Sequence, residues 1–167
     1  MTLNRRHFLT LGGGAAVAAG LPPWLTPRSA SAAKAATSYP YTLTDEQWRA
    51  RLTPAQYQVL RRDGTERPYS SPLNDEHRNG TFSCAGCEQH LFSSNTKFDS
   101  HTGWPSFWQP LSNAVGETRD TGLGMVRTAV HCANCGGHLG HIFDDGPRPT
   151  GLRYCMNGVA MTFTAQG

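Results

Sequence analysis

The sequence predicts a mainly β domain in which two short helices precede an antiparallel β body. Three observations lead to this fold class. The 167 residues include 18 glycines and 11 prolines, a content that disfavours a helical bundle and favours short strands joined by loops. Two helix-capping signatures follow each other between residues 44 and 62. Short apolar runs separated by turn residues fill the chain from residue 81 onward.

Charge argues against a nucleic-acid-binding protein. The chain has 15 basic and 12 acidic residues, a formal net charge of +3. Arg5, Arg6 and Arg28 lie within the first 32 positions, so the remainder carries equal numbers of both signs. A neutral body without a basic run offers no electrostatic footprint for phosphate groups, and no nucleic-acid partner is expected.

The segment 1–32 resembles a twin-arginine export signal. Its paired arginines precede an apolar, glycine- and alanine-rich run over 8–21, which is too short to span a bilayer. Small residues around 32–35 predict cleavage there, which leaves a domain over 40–167 and predicts a periplasmic location. An ordinary secretory signal and an uncleaved anchor are the alternatives. No other segment approaches ~18 consecutive apolar residues, so stable membrane insertion is not expected.

Two helices are predicted at the start of the domain. Thr44-Asp45-Glu46-Gln47 and Thr53-Pro54-Ala55-Gln56 both have the capping-box pattern, and the proline occupies a first helical position where its missing N–H costs nothing. The second helix is expected to end at Arg62, before Asp63-Gly64. The apolar side chains expected to pack on the rest of the domain are Trp48, Leu52, Tyr57 and Leu60.

The remainder of the chain has the pattern of short strands. Apolar runs of three to six residues alternate with turn sequences such as Gly136-Gly137 and Asp145-Gly146-Pro147. The predicted strands include 81–83, 90–92, 125–130 and 160–163.

Four of the five cysteines form two Cys-x-x-Cys pairs. Each pair, Cys84 with Cys87 and Cys132 with Cys135, lies in a predicted tight turn that directs two thiolates to one point. Four thiolates complete a tetrahedron around Zn²⁺ and leave no open position, so one structural zinc is expected. Two disulfides are an alternative in an exported protein, and iron is another. A redox Cys-x-x-Cys is a further alternative, but neither pair has the βαβ surroundings that such a motif requires.

Cys155 is left without a partner and is a candidate nucleophile. Arg153 is near in sequence, and a cation favours the thiolate. His138 and His141 supply imidazoles, which together with a cysteine form a nucleophile constellation. The alternatives are that Cys155 is a small buried apolar residue and that a histidine is a zinc ligand.

Long ordered motifs run through residues ~44 to ~163. They are the stretches Leu52-Thr53-Pro54, Gln56-Tyr57, Gly64-Thr65-Glu66-Arg67-Pro68, Cys84-Ala85-Gly86-Cys87, Phe98-Asp99-Ser100, Gly103-Trp104-Pro105-Ser106-Phe107, Gly124-Met125-Val126-Arg127-Thr128, 138–147 and 149–157. Together these motifs resemble those of the B-type peptide methionine sulfoxide reductases, which act on the R epimer. The resemblance implies a fold of two antiparallel sheets leaning together like a tent, with small N-terminal helices and a zinc on four cysteines.

The resemblance also implies a mechanism. Cys155 would attack the sulfoxide, release methionine and become a sulfenic acid. His138 and His141 would position a water or donate a proton toward the sulfoxide oxygen, and Asn157 would hold the same network.

The substrate side of the implied site combines apolar and cationic residues. Trp104 would be the apolar wall for the substrate methyl group, with Phe143 and Arg153 completing the substrate site. Without the resemblance, Trp104 and Phe143 are equally well core aromatics, and Asn157 a turn residue.

The sequence departs from the family pattern at two positions. Thr102 stands where many members have a resolving cysteine, and His101 stands where glycine is usual. With four thiols on zinc, none remains to form an internal disulfide with Cys155. An external thiol reductant, such as a thioredoxin-like protein, is therefore expected to regenerate the enzyme. A monomer is expected.

Two other classes of protein compete with the reductase. A zinc-binding, peptide-binding module with the tent fold would not need Cys155, His138 and His141 together. A general thiol peroxidase or disulfide oxidoreductase would act independently of methionine sulfoxide.

Overall fold

The computed structural model describes residues 38–167, and the predicted signal segment 1–32 lies outside them. This part of the chain contains two α-helices followed by nine strands, in the order expected from the sequence, with short 3₁₀ turns in the connections. The helices are α1 (Asp45–Arg51) and α2 (Pro54–Arg62). The strands are β1 (Gly80–Cys84), β2 (His90–Ser93), β3 (Lys97–Phe98), β4 (Ser106–Phe107), β5 (Val115–Asp120), β6 (Arg127–Cys132), β7 (His138–Phe143), β8 (Arg153–Met156) and β9 (Met161–Ala165).

Both helices begin with the predicted capping boxes. The Thr44 hydroxyl accepts from the Gln47 amide at 3.3 Å, and the Gln47 side chain accepts from the Thr44 amide at 2.8 Å. Thr53 and Gln56 repeat this exchange at the start of α2. Helix α2 ends at the predicted residue, followed by Asp63 with a left-handed φ of 53°. The reciprocal hydrogen bonds satisfy amide groups that a helix start would otherwise leave unpaired.

The strands form two antiparallel sheets, which confirms the predicted fold class. The smaller sheet has the order β2-β1-β9, and the larger has the order β3-β4-β8-β7-β6-β5. All strand pairs are antiparallel. In the larger sheet β8 lies between β4 and β7, so residues from distant parts of the sequence become neighbours there.

Three phenylalanines join the two sheets. Phe82 and Phe92 come from the smaller sheet and Phe107 from the larger, and all three are fully buried. The rings of Phe92 and Phe107 stack with centroids 4.3 Å apart, and Phe82 meets Phe107 edge-on at 4.9 Å. Fully burying such side chains stabilises the fold by ~1.5–3 kcal/mol each. The core therefore lies between the sheets.

The N-terminal helices cover the two cysteine turns. All four side chains predicted for the apolar stripe are buried, including Trp48 and Leu60. Arg51 donates to the Gly86 carbonyl at 2.6 Å, and Arg61 donates to the Cys135 carbonyl at 3.1 Å. The helices thus fix the turns that present the cysteines.

None of the helices in residues 38–167 combines the length and apolar character needed to cross a membrane.

Candidate functional site

The four paired cysteines come together in one cluster. The turn after β1 brings Cys84 and Cys87, and the turn after β6 brings Cys132 and Cys135, so that all four sulfurs lie within 4.8 Å of one another. The Sγ–Sγ distances are 3.7 Å between Cys84 and Cys135 and 3.5 Å between Cys87 and Cys132. Four sulfurs ~2.3 Å from a tetrahedral zinc would be ~3.8 Å apart. The cluster therefore has the donor set and the spacing that suit zinc.

The cluster is a set of thiols rather than a pair of disulfides. All four cysteines are unbonded, and their sulfurs are far beyond the ~2.05 Å of an S–S bond. Hydrogen bonding with Cys132 raises the pKa of Cys84 and lowers the pKa of Cys87. The lowered pKa of Cys87 favours its thiolate, which is the form of cysteine that binds a metal ion.

Cys155 lies in β8 between two strands that place functional side chains beside it. Its Cα pairs with Ser106 in β4 and with His141 in β7. Directly paired residues project onto the same face of a sheet, so the thiol is flanked by a hydroxyl and an imidazole. A Cβ at Gly140 would lie 2.1 Å from the Cys155 carbonyl oxygen. Glycine is therefore what lets β7 approach β8 this closely.

A small cavity opens beside the Cys155 thiol. Its volume is about 130 Å³, below the ~300–1,000 Å³ of pockets for drug-sized ligands, so it suits a single side chain. Five predicted site residues line it, namely Trp104, His141, Phe143, Cys155 and Asn157. Three lining residues to which the sequence analysis gave no role are Thr65, Arg127 and Gly140.

The thiol faces hydroxyl groups from the segment that precedes β4. Thr102 Oγ1 is 3.9 Å from Cys155 Sγ, and Ser100 bridges the hydroxyls of Thr102 and Ser106 at 2.8 and 2.7 Å. Burial raises the pKa of the Cys155 thiol, whereas the Arg153 cation and the hydroxyls of Thr102 and Ser106 act in the opposite direction. The predicted effect of Arg153 is present but is outweighed by desolvation.

An acid–base pair fixes the imidazole of His141. Its Nε2 is 2.8 Å from a carboxylate oxygen of Asp120, and Arg127 donates to the same oxygen at 2.7 Å. The Gly122 amide, His141 and Arg127 lower the pKa of Asp120 to about 2, so the carboxylate is ionised. A carboxylate held on one ring nitrogen fixes the orientation of the ring. His141 is thereby held on the wall of the cavity, beside Cys155.

Asn157 ties the site to the segment that follows α2. Its buried amide accepts from the Glu66 backbone N–H at 2.9 Å and donates to the Leu139 carbonyl at 3.0 Å. The Trp104 indole donates to the Glu66 carbonyl at 3.2 Å. The Glu66 carboxylate accepts from the amides of Gly158 and Val159 at 2.6 and 2.9 Å. These bonds fix the orientation of the indole that forms one cavity wall.

His138 lies behind the cavity rather than on its wall. Its side chain is buried, and its ring centroid is 5.2 Å from that of His141. Burial lowers the pKa of His138 to about 4, so the neutral imidazole is favoured at physiological pH. A direct role in proton donation stays a prediction for this residue.

Arg153 acts on the site through its neighbours. Its guanidinium forms two hydrogen bonds of 2.8 Å with the Asp145 carboxylate and lies 4.4 Å from the centroid of the Phe143 ring. The bonds from Arg153 lower the pKa of Asp145. This arrangement orients Phe143 toward the cavity, while Arg153 itself is not among the lining residues.

The unusual residue His101 occupies a strained backbone position. Its φ is 55°, in the left-handed region that glycine adopts at no steric cost. The Asp99 carboxylate accepts from its backbone amide at 2.8 Å, and Tyr69 donates to its carbonyl at 2.9 Å. These contacts hold the turn that carries Thr102 to the thiol.

Comparison with known proteins identifies the family of this chain. The family model described as the SelR domain matches residues 52–165. A protein from Agrobacterium fabrum named "Peptide methionine sulfoxide reductase MsrB" is 54% identical over 128 residues, which cover 76% of this chain and 95% of that protein. A Pseudomonas putida protein of the same name is 59% identical over 121 residues, 72% of this chain and 91% of the relative.

Proposed function

This chain belongs to the SelR domain family of peptide methionine sulfoxide reductases, which are oxidoreductases, and on that premise we propose that Cys155 reduces peptide methionine-R-sulfoxide through a sulfenic acid. The observation that carries the proposal is the placement of Cys155 and His141 beside each other on the wall of one small cavity. A zinc-binding module without catalysis would not need a carboxylate-held imidazole next to an unpaired thiol.

The cavity fits the side chain of methionine sulfoxide. Trp104 and Phe143 supply apolar and aromatic surface for the S-methyl group, and Arg127 supplies a cation near the polar wall. A sulfoxide carries negative charge on oxygen and is pyramidal at sulfur. A site with an apolar wall and a separate polar wall therefore distinguishes the two epimers, since only one directs its oxygen toward His141 when its methyl group meets Trp104.

The chemical step moves one oxygen atom and two electrons. The Cys155 thiolate attacks the sulfoxide sulfur while His141 donates a proton to the oxygen. The substrate S–O bond and the new bond between the two sulfurs then break as the oxygen passes to Cys155, which becomes a sulfenic acid as its sulfur is oxidised by two electrons. The substrate sulfur is reduced by two electrons and leaves as methionine. Asp120 then stabilises the imidazolium when His141 takes up its next proton from solvent.

The four-cysteine cluster is proposed to hold one structural zinc. The residues that would bind it are Cys84, Cys87, Cys132 and Cys135, and their spacing fits a tetrahedral ion. When bound, the metal cross-links the turn after β1 with the turn after β6. The four thiolates fill its coordination sphere, so its contribution is to stability.

The first prediction is stereospecific turnover. The purified protein with an excess of dithiol should convert a peptide containing methionine-R-sulfoxide to methionine and leave the S epimer unchanged. Separation of the peptides by chromatography and mass measures both reactions. Equal consumption of the two epimers would contradict the proposed cavity, and turnover of peroxide or disulfide alone would favour a general thiol oxidoreductase.

The second prediction concerns regeneration by an external thiol. The four clustered cysteines are assigned to metal, and Thr102 has a hydroxyl where a resolving thiol could act. A thiol such as that of a thioredoxin-like protein should condense with the sulfenic acid, releasing water and forming a mixed disulfide. A second thiol then restores Cys155 and leaves as the disulfide.

Intact mass after one equivalent of substrate tests this scheme. The wild-type protein should gain one oxygen and contain no internal disulfide. Because Thr102 Oγ1 lies 3.9 Å from Cys155 Sγ, the variant Thr102→Cys should instead lose two hydrogens and form a disulfide with Cys155. An internal disulfide in the wild-type protein would overturn both the recycling scheme and the metal assignment.

Export to the periplasm is a separate proposal that rests on the paired arginines Arg5 and Arg6. Replacing both by lysine should leave uncleaved protein in the cytoplasm, as measured by cell fractionation. Unchanged export would favour the ordinary secretory route. The proposed monomer is tested by the mass of the purified protein in solution.

A further inference from the structure

A second group of metal-ligating side chains lies where the end of α2 meets strands β6 and β7. Asp63 follows the last residue of α2, His131 lies in β6 and His138 lies in β7. One ligand atom from each lies within 4.8 Å of the other two. We propose that these three side chains bind a divalent first-row transition-metal ion such as Zn²⁺, at a site separate from the four cysteines.

The sheet itself brings the two histidines together. His131 and His138 are paired residues on neighbouring antiparallel strands, next to an irregularity in the register of β6 and β7. Their ring centroids are 5.8 Å apart and their planes are inclined at 64°. Directly opposed residues have Cβ atoms ~4.5–5.5 Å apart, so both rings reach one ion without a change in the backbone.

The buried imidazole of His138 has two nitrogens available to bind a ligand. Its side chain is only 2% exposed, yet neither ring nitrogen has a hydrogen-bond partner among residues 38–167. Buried polar atoms nearly always have a partner, and an imidazole nitrogen without one is suited to bind a metal ion.

Asp63 supplies the negative charge and can move toward the ion. It is an exposed residue at the helix end, where φ is 53°. Ligand atoms ~2.1 Å from one ion are at most ~4.2 Å apart, so the triad must contract by a few tenths of an ångström. Rotation of the exposed carboxylate provides this contraction.

The chemistry of the donors sets the selectivity. Two imidazoles and one carboxylate suit Zn²⁺ and its neighbours in the first row, whereas Mg²⁺ and Ca²⁺ prefer oxygen ligands. Three protein ligands leave a position for water. The site therefore differs from the four-cysteine cluster, in which the protein would supply every ligand.

Calorimetric titration of Zn²⁺ into the zinc-loaded protein tests the site. A Cys155→Ser background removes binding at the catalytic thiol. One further equivalent of Zn²⁺ should bind, and Mg²⁺ should not. Asp63→Asn should weaken this binding at least about 10-fold, because it removes the charged ligand, while asparagine keeps the left-handed helix end. The matched control is His90→Ala, which removes an exposed histidine in β2 and should leave the binding unchanged.

Imidazole NMR of the same titration identifies the ligands. The ring signals of His131 and His138 should shift with the added equivalent, and those of His90 should not. The proposal is overturned if the zinc-loaded protein takes up no further Zn²⁺, or if it binds Zn²⁺ equally well with Asp63→Asn. It is also overturned if the shifted signals belong to other histidines. None of these readouts depends on reductase activity.

Discussion

Replacing the proposed catalytic thiol by a hydroxyl, Cys155→Ser, should abolish reduction of methionine-R-sulfoxide and leave the fold intact. A serine hydroxyl is nearly isosteric with the thiol but is a much weaker nucleophile near neutral pH, so the rate should fall on the order of 10³-fold or more. The side chain lies in β8 with Thr102 3.9 Å away, and a hydroxyl can keep that contact. Single-turnover release of methionine measures the loss.

Two controls separate lost chemistry from lost structure. The variant Cys155→Ser should keep the zinc content of the wild-type protein and unfold within a few degrees of its midpoint, because the substitution removes no metal ligand. Retained turnover with this variant would refute Cys155 as the nucleophile. Loss of zinc from this variant would show instead that Cys155 is a zinc ligand.

The pH dependence of the same single turnover reports on the thiol. Burial raises the pKa of Cys155, so the protonated thiol prevails at neutral pH and the reactive thiolate increases as the pH rises through that pKa. The rate should therefore increase as the pH rises toward the pKa of the thiol. Arg153 lowers the pKa of the thiol, so removing its charge with Arg153→Met should move the rising limb to higher pH. An unmoved limb would argue that Arg153 acts only through packing.

Local signals in the sequence were sufficient to predict the two helices and the four-cysteine cluster. A capping box requires only residues three positions apart, and Thr44 with Gln47 forms one as predicted. Each Cys-x-x-Cys turn is equally local, which is why the sequence predicts the cluster. The sequence also predicted strands with a buried apolar pattern, such as β1 and β6, and their predicted ends lie within two residues of the observed ends.

Strand β5 shows why pattern alone did not find every element. Its six residues, Val-Gly-Glu-Thr-Arg-Asp, are mostly polar and exposed because β5 is the edge of the larger sheet. It has no buried face to mark it in the sequence. Its last residue is Asp120, so the carboxylate that holds His141 was missed together with the strand.

The second part that the sequence could not supply is the set of contacts between distant segments. Glu66 forms hydrogen bonds with Asn157, Gly158 and Val159, which are all more than ninety positions away in the sequence. Its motif was recognised, but no periodicity or spacing indicates which residue it contacts. The packing of α2 against the turn that follows β8 brings these segments together, and no local pattern in the sequence indicates it.

The largest effect on stability should come from the metal cluster, through Cys84→Ser. The side chain of Cys84 is fully buried between the turn after β1 and the helices that cover it, and the variant removes one of the four proposed zinc ligands. Structural zinc in small peptides contributes apparent binding free energies of ~10–16 kcal/mol, which is comparable to the whole ~5–15 kcal/mol stability of an ordinary domain. We therefore expect zinc loss and unfolding at physiological temperature, with activity lost as a consequence.

Metal analysis and thermal unfolding, each compared with Cys155→Ser, test this expectation. Cys155 is a half-buried cysteine outside the four-cysteine cluster, so it controls for the substitution of sulfur by oxygen as such. Chelation of the wild-type protein should reproduce the unfolding of Cys84→Ser, and added Zn²⁺ should reverse it, because the same cross-link between the two turns is removed and restored. If Cys84→Ser remains folded with an unchanged midpoint and no zinc, the cluster does not contribute to the stability of the fold. Its sulfurs would then be available to resolve the Cys155 sulfenic acid.

Counting free thiols after one turnover tests that possibility directly. A resolving cysteine in the cluster would consume two protein thiols, whereas regeneration by an external thiol consumes one.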